Sequence, residues 1–187
     1  MRRLMTALIF SACAAALAVR PTWADENLVV NGDFSTVEDG RPAKWEASGN
    51  PKTATQKLDA VTEGDSSYAR LRCTRFEGSG GWTHAMICQL GGVKLVEGRS
   101  YRFSCRARAE NLAGRNVQVS IQDTDGWHDC GFRTTLPLSG DWTRFQRVFK
   151  AARTAHESTR LQFWFNETGT VYLDDVSIVE LDEQKAE

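Results

Sequence analysis

Two segments of the chain, residues 117–122 and 161–166, alternate strictly between apolar and polar side chains. This period of two is typical of a β-strand, in which successive side chains point to opposite faces of the sheet. The sequence therefore predicts two strands that each bury one face and turn the other face outward. The apolar positions assigned to the core are Val117, Val119, Ile121, Leu161, Phe163 and Phe165.

The outward positions of these two predicted strands carry carboxamides and one indole. A merely solvated sheet face usually carries charged side chains, whereas a carboxamide both donates and accepts hydrogen bonds. Pyranose sugars need both functions from a binding site, and their C–H faces can stack on an aromatic ring. We therefore predict a carbohydrate-binding face with a tryptophan as stacking platform and four amides as hydrogen-bonding groups. These residues are Trp164, Gln162, Asn166, Gln118 and Gln122.

Four other tryptophans are predicted to lie either at the rim of this face or in the core. Trp127 and His128 lie in a turn segment rich in Asp and Gly and are predicted to close one rim of the site. Trp82 follows two glycines and is predicted to close another rim. Trp45 and Trp142 are predicted to belong to the core instead.

Nearly every other segment also has the composition of a short strand. The candidates recur about every ten residues between Gly, Asp, Asn and Ser, and no window shows a helical stripe. The pattern predicts an all-β sandwich or barrel, with a two-sheet antiparallel jelly roll favoured. The strand candidates are residues 27–34, 44–47, 55–60, 68–73, 83–90, 101–109, 116–122, 131–136, 143–151, 159–166 and 170–179.

The amino-terminal segment has the layout of a secretory signal peptide. Arg2 and Arg3 precede an apolar run, and small residues at positions 22 and 24 precede a cleavage point before residue 25. The chain is predicted to comprise a signal peptide (1–24), one β-sandwich domain (25–180) and a polar tail (181–187). A membrane span and a lipoprotein anchored at Cys13 are the alternatives. We expect an exported protein, secreted, periplasmic or on the cell surface, whose mature part has no transmembrane segment.

The charge balance argues against a nucleic-acid ligand. The chain has 23 basic and 24 acidic residues, a net charge of −1, so no basic surplus is left to contact phosphates. Basic residues concentrate in two predicted strands, where they form an ordinary solvated face. Alternatively, they attract an acidic polymer such as a uronate-containing glycan. These residues are Arg102, Arg106, Arg108, Arg144, Arg147 and Lys150.

Four cysteines follow the predicted signal peptide: Cys73, Cys88, Cys105 and Cys130. One or two disulfides are expected in an exported protein, but four cysteines allow three pairings. Cys105 shares the apolar alternation of its strand and is predicted to be a small core residue. Cys73 and Cys88 lie on successive predicted strands and are the favoured pair.

Six short motifs follow one another along the chain: Asn27–Phe34, Trp45, Tyr101–Ser104, Ala107–Ala109, Gly140–Thr143 and Gly169–Val176. Their order and spacing resemble the cenC-type carbohydrate-binding modules of families 4 and 9, from about Asn27 to Val179. The resemblance implies a galactose-binding-like jelly roll of two antiparallel sheets. It also implies a glycan site on the concave sheet.

The same resemblance implies a structural calcium ion near the two ends of the domain. Asp33 and Asp175 match acidic positions of the family, but Ser35 stands where relatives commonly have a glutamate. Calcium takes six to eight oxygen ligands and favours charged ones. We therefore expect no required cofactor. Asp33 and Asp175 are candidates either for a structural calcium site or for ordinary turn and strand-end hydrogen bonds.

The chain lacks the signatures of common enzymes. Glycoside hydrolysis generally needs two carboxylates roughly 5–9.5 Å apart, and the outward positions of the two strands hold none. The nucleophile elbow, the zinc-protease motif and the phosphate loop are also missing. We predict a secreted, non-catalytic module that binds a poly- or oligosaccharide. The alternatives are an exported adhesion module with a protein partner, and a polysaccharide-degrading enzyme that uses Asp125 or Asp129.

Overall fold

The computed structural model describes residues 26–64, 66–78 and 83–182. The predicted signal peptide, Trp82 and residues 183–187 lie outside this part of the chain. No helix of the described residues is long and apolar enough to cross a membrane. The strands are β1 (Val37–Glu38), β2 (Arg41–Pro42), β3 (Glu46–Ser48), β4 (Ala54–Glu63), β5 (Ser66–Phe76), β6 (Ala85–Leu90), β7 (Ser100–Glu110), β8 (Asn116–Asp123), β9 (His128–Pro137), β10 (Thr143–Lys150), β11 (Thr159–Phe165) and β12 (Gly169–Glu180).

The long strands pair into two antiparallel sheets of five strands each, and β1 and β2 form a separate ribbon. We call the sheet with order β3-β6-β11-β8-β9 the front sheet and the sheet with order β10-β7-β12-β5-β4 the back sheet. From β5 onward, every connection except the β8–β9 hairpin passes from one sheet to the other. The predicted two-sheet antiparallel jelly roll is therefore confirmed.

The apolar faces of the two sheets meet in one core. Phe163 of β11 lies 6.1 Å from Phe103 of β7 between ring centroids, and Phe103 lies 4.8 Å from Phe132 of β9. Trp45 packs against Phe34 at 5.3 Å and Phe163 at 6.2 Å. Burial of each such side chain contributes about 1.5–3 kcal/mol. The core positions predicted for β8 and β11, and that of Trp45, are confirmed.

The segment Asn27–Phe34 is apolar enough to indicate a strand, but it forms turns. Asn31 has a positive φ of 51° and bonds through its side chain to the backbone of Thr36 and Ala43. Such side-chain bonds offer the backbone an alternative to the ladder of a sheet. Gly32 is required here because a Cβ atom would lie 2.0 Å from Val176 O.

The four cysteines are free and buried, so the favoured Cys73–Cys88 disulfide is wrong. Cys73 faces the core from β5 in the back sheet, whereas Cys88 points to the outer side of the front sheet. The front sheet itself therefore separates the two sulfur atoms. Cys105 is a small core residue, as its alternation predicts.

Candidate functional site

The outer face of the front sheet is organised in three rows of side chains that cross the strands. The alternate positions of β8 and β11 fill the core, so the remaining positions point outward. The structure thus brings the predicted platform and three of its four amide partners together on two adjacent strands. The rows are Ser48, Met86, Trp164, Gln118 and Thr135; Glu46, Cys88, Gln162, Ser120 and Arg133; and Leu90, Arg160, Gln122 and Asp129.

Hydrogen bonds tie the second and third rows together. Gln162 Nε2 donates to Ser120 Oγ at 2.9 Å and to Gln122 Oε1 at 3.2 Å. Arg160 Nη2 donates to the same Gln122 oxygen at 3.4 Å, which is a long bond. This network orients the Gln162 amide and the guanidinium group across β11 and β8.

Two side-chain atoms in this network are buried without a hydrogen-bond partner among the described residues. One is an acceptor, Oε1 of Gln162, a residue that is only 5% exposed. The other is a donor, Nε of Arg160. The two residues are two positions apart on β11, so their side chains lie side by side. A buried polar atom without a partner costs about 1–3 kcal/mol and is rare in native proteins, so these two atoms have hydrogen-bonding capacity left for water or a ligand.

The Arg160 guanidinium also packs against Trp127. Its Cζ atom lies 4.6 Å from the centroid of the indole, within the range of a cation–π interaction. Trp127 ends the turn between β8 and β9 and is 57% exposed. Thr124 anchors this turn, because its backbone N and its Oγ1 both donate to Ser158 O at 2.8 Å. Trp127 therefore stands at the end of the face where the sequence predicts a rim.

Trp164 is partly buried at the other end of β11. Its ring lies 6.1 Å from His84, and burial lowers the pKa of that imidazole, with a smaller contribution from the Arg160 charge. His84 is thus mostly neutral near pH 7. The neighbouring Gln118 accepts a hydrogen bond from Thr135 Oγ1 at 3.0 Å. The platform is therefore surrounded by uncharged groups.

The remaining predicted site residues lie away from this network. With its amide turned so that the nitrogen faces Thr83, Asn166 donates to Thr83 O at 2.9 Å and so bonds the segment before β6. His128 pairs with Asp123 at the start of β9, where the alternation turns it away from the outer face. Trp82 lies outside the described residues. Roles in binding for these three residues stay predictions.

Arg160, on the central strand of the front sheet, is not among the predicted site residues. It has the same parity as Gln162 and Trp164, so extending the alternation by one step toward the start of the strand identifies it. Arg133 and Glu46 were overlooked for another reason. They reach the face because β9 and β3 pair into this sheet, and alternation does not reveal which strands pair.

The surface beside Gln162 is formed by β6. Met86 and Cys88 point to the outer side of the sheet but are fully covered by their neighbours. Cys88 Sγ lies 3.6 Å from Glu46 Oε1, and burial is the main cause that raises the pKa of this thiol to about 12. A thiol that stays protonated is not a nucleophile at neutral pH. Cys88 therefore serves packing.

The residues around Asp33 and Asp175 do not fit a calcium ion as they are arranged. Asp175 Oδ2 lies 3.2 Å from Arg144 Nη2 and 3.8 Å from Arg106 Nη1, and Arg106 also bonds Asp174 at 3.2 Å. Guanidinium groups thus already neutralise these carboxylates. The described residues contain no group of three or more His, Cys, Asp or Glu that could hold a metal. Calcium stays a prediction from the resemblance alone.

The outer face of the back sheet carries an aromatic cluster. Trp142 lies there, 5.4 Å from Tyr68 and 6.5 Å from Tyr172, so its predicted place in the core is wrong. It lies an odd number of positions before the buried Phe145, which puts the two side chains on opposite faces. Arg108 Cζ stacks over the Tyr172 ring at 3.7 Å.

The predicted basic set lies on the back sheet, but the arginines near its centre are paired with carboxylates. Arg70 bonds Asp59 at 2.6 Å, Arg106 bonds Asp174 at 3.2 Å, and Arg108 bonds Glu110. The Arg70 bond is the main reason that the pKa of Asp59 is lowered. Arg147 has the parity of Phe145 and is exposed at the sheet edge rather than on the outer face. Arg70, Arg106 and Arg108 are therefore paired within the protein.

Known proteins share this architecture. The family model of the carbohydrate binding domain CBM_4_9 matches residues 26–170. No curated protein sequence matches the chain. A solved CBM4 structure has 23% identity and a TM-score of 0.63, over 82% of this chain and 99% of that one.

Two further solved structures have the same fold. The N-terminal cellulose-binding domain of Cellulomonas fimi β-1,4-glucanase C has 17% identity and a TM-score of 0.57, over 83% of this chain and 97% of that one. The CBM22-1–GH10 modules of Clostridium thermocellum xylanase 10B, complexed with xylohexaose, have 19% identity and a TM-score of 0.57. Here the match covers 84% of this chain and 29% of that one.

Proposed function

Because the chain belongs to the CBM_4_9 carbohydrate binding domain family, we propose that it is an exported, non-catalytic module that binds a poly- or oligosaccharide on the outer face of the front sheet. Trp164 is the stacking platform. Gln162, Gln118 and Arg160 provide hydrogen bonds to hydroxyl groups. Export is inferred from the amino-terminal sequence, which has a basic start followed by an apolar run.

This proposal rests on two buried atoms that have no hydrogen-bond partner among the described residues, Gln162 Oε1 and Arg160 Nε. A hydroxyl group donates one hydrogen bond and accepts others, so a sugar with neighbouring hydroxyls satisfies both atoms together. Trp164 lies two residues from Gln162, about 7 Å along the strand. That distance lets one sugar stack on the indole while hydroxyls of the same or the next sugar reach the pair.

The carboxylates on this face are too far apart for glycoside hydrolysis. Glu46 lies on β3 and Asp129 on β9, at opposite edges of the front sheet. Four strand spacings, roughly 19 Å, separate their backbones, whereas paired catalytic carboxylates stand roughly 5–9.5 Å apart. Asp129 also accepts a hydrogen bond from Gly131 N at 2.7 Å. This arrangement supports binding without hydrolysis.

Titration calorimetry with two matched tryptophan variants tests the proposal. The probes are soluble xylan, β-glucan, galactan and mannan, together with acidic polysaccharides. We expect dissociation constants on the order of micromolar to millimolar for a shallow polar site. Trp164→Ala should weaken binding at least about tenfold, because a central aromatic contact typically contributes more than 1 kcal/mol. Trp142→Ala removes an indole of similar burial from the back sheet and should leave binding unchanged.

Two results would contradict the proposal. One is a wild-type protein that binds no glycan of the panel, and the other is an equal loss of affinity in both variants. In the first case, a pull-down that returns a protein partner would support the adhesion alternative. Release of reducing sugars by the wild type, but not by Asp129→Ala, would support the enzyme alternative.

A further inference from the structure

Arg160 differs from the other arginines of the sandwich in what surrounds its charge. Its side chain is partly buried, one face of the guanidinium packs on Trp127 at 4.6 Å, and its buried Nε has no partner. Among the described residues, the only hydrogen bond along the edge formed by Nε and Nη2 is the long one to Gln122 Oε1 at 3.4 Å. Burial lowers the pKa of this guanidinium, but an arginine remains charged at neutral pH.

No carboxylate oxygen of the described residues comes within 4.0 Å of the Arg160 guanidinium. The acidic residues at the edges of the face have other partners. Glu46 contacts Cys88 Sγ at 3.6 Å and acts on Arg160 only from beyond 4.0 Å, where its charge is a minor cause that raises the pKa of the guanidinium. Asp129 lies 3.6 Å from Arg133 Nε and accepts a hydrogen bond from Gly131 N. Asp123 is 3.5 Å from Arg153. A partly buried cation without a counterion is costly, and proteins normally pair such charges.

We propose that the ligand of this site is an acidic glycan, and that the Nε–Nη2 edge of Arg160 binds a carboxylate of a uronic acid. This inference rests on the proposed function and narrows its ligand class. A guanidinium edge and a carboxylate form two parallel hydrogen bonds, and the Nε atom on this edge of Arg160 has no hydrogen-bond partner among the described residues. A neutral hydroxyl also accepts a hydrogen bond from Nε, but it leaves the charge uncompensated.

Gln162 supplies the second half of the recognition. Its Oε1 is unpartnered, the residue is 5% exposed, and it lies beside Arg160 on β11. A carboxylate has no hydrogen to donate, so it does not satisfy this acceptor. A uronic acid carries a carboxylate and hydroxyl groups on one ring, so the same sugar can neutralise Arg160 and donate to Gln162. This combination distinguishes a sugar acid from a simple anion.

The experiment compares acidic glycans with their own neutral forms. Polygalacturonate, alginate and glucuronoxylan are each titrated into the wild-type protein beside the carboxyl-reduced polymer, in which the uronates have become neutral hexoses with unchanged linkages. At least one acidic polymer should bind about 10- to 100-fold more tightly than its reduced form, the range expected for hydrogen bonds to a charged group. Added salt should weaken only the binding of the acidic form.

Variants then assign the effect to one residue. Arg160→Gln should lower the affinity for the acidic polymer to that for its reduced form, and Arg160→Lys should retain part of the preference because it keeps the charge. Arg147→Gln is the matched control, since it removes an exposed arginine from the edge of the back sheet. Thermal unfolding checks that each variant is folded. If Arg160→Gln does not fold, the comparison of polymers on the wild type decides.

The outcomes separate this inference from the proposed function. If acidic and reduced polymers bind the wild type equally, and Trp164→Ala weakens both, the module binds glycans but the inference is wrong. The inference is also wrong if Arg160→Gln weakens both polymers by the same factor. If no polymer binds, the proposed function fails together with it.

Discussion

The outer faces of the two sheets both place arginines beside aromatic rings, yet they differ in one respect. On the back sheet, Arg108 stacks on Tyr172 and bonds Glu110, so both the ring and the charge are satisfied within the protein. On the front sheet, Arg160 stacks on Trp127 but has no carboxylate among the described residues, and its Nε is unpartnered. An arginine on an aromatic ring therefore does not by itself indicate a site. The proposed site rests instead on the unpartnered polar atoms of the front sheet.

We expect substitutions on the front sheet to change mainly glycan affinity and substitutions on the back sheet to change mainly stability. Gln162→Met should show the largest effect. This substitution keeps the side-chain length but removes the buried acceptor. Glycan affinity should fall about 10- to 100-fold, because a sugar donor loses its partner. Stability should change less than affinity, because removal of the unsatisfied buried oxygen offsets the loss of the Nε2 bonds to Ser120 and Gln122. Calorimetry and thermal unfolding of the same sample measure both quantities.

A loss of stability together with unchanged affinity would show that Gln162 serves the fold, and the contrast between the sheets would fail. Ser120→Ala is the control. It removes the hydroxyl that accepts from Gln162 Nε2 but leaves the Oε1 atom in place. Its effect on affinity should be smaller than that of Gln162→Met.

On the back sheet, Asp59→Asn should cost stability and leave glycan affinity unchanged. The Arg70 guanidinium forms two bonds to this carboxylate, and breaking them should cost about 1–3 kcal/mol at pH 7. The pKa of Asp59 is lowered in the folded protein, so its stabilising contribution is present above the ordinary value of 3.8 and is lost as the pH falls below it. Denaturant unfolding from pH 7 to pH 3 should therefore show the variant approaching the wild type.

An effect of Asp59→Asn that is the same at pH 7 and pH 3 would contradict the role given to its charge. A loss of glycan affinity would contradict the separation of the two faces, because within the described part of the chain no hydrogen bond joins Asp59 to the front sheet.

Trp127→Leu should have a smaller effect, confined to binding. The indole holds the guanidinium of Arg160 through a contact that contributes about 0.5–1 kcal/mol at an exposed site. Affinity should fall about two- to fivefold, and the melting temperature should change little because Trp127 is exposed. A loss as large as that of Trp164→Ala would mean that Trp127 stacks on the sugar itself.

Calcium should have the smallest effect. Arg106 and Arg144 already bond the carboxylates of Asp174 and Asp175. Adding calcium chloride or EDTA at about 1 mM should shift the melting temperature by less than about 1 °C, because stabilisation requires binding to the folded state. A shift of several degrees would show a calcium site and would require Arg106 or Arg144 to move away.

Alternation predicted the fold because a sandwich strand needs one apolar face, and β8 and β11 show this without interruption. The predicted face followed for the same reason, since Gln118, Gln162 and Trp164 share one parity. Alternation does not reveal which strands pair. The pairing of β8 with β9 brings Arg133 beside Ser120. Arg160 has the same parity as Gln162, so alternation alone can identify it. The prediction omitted Arg160 because it began at Leu161, the third residue of β11.

Three other predictions failed because local side-chain chemistry, sheet assignment or parity outweighed composition. Asn27–Phe34 looked like a strand, but the hydrogen bonds of Asn31 hold it in turns. Cys73 and Cys88 are on successive strands, but the chain crosses between sheets from β5 to β6. Trp142 is predicted to belong to the core, but it has the opposite parity to the buried Phe145. Its side chain therefore lies on the outer face of the back sheet.

The most direct test of the central claim follows the tryptophan indole resonances during a glycan titration. The protein is labelled with ¹⁵N, the indole signals are assigned with single Trp→Phe variants, and the tightest-binding polymer of the calorimetric panel is added as oligosaccharide. The account predicts that the signals of Trp164 and Trp127 move with saturation, while those of Trp142 on the back sheet and Trp45 in the core do not. Movement of the Trp142 signal without movement of the Trp164 signal would contradict it.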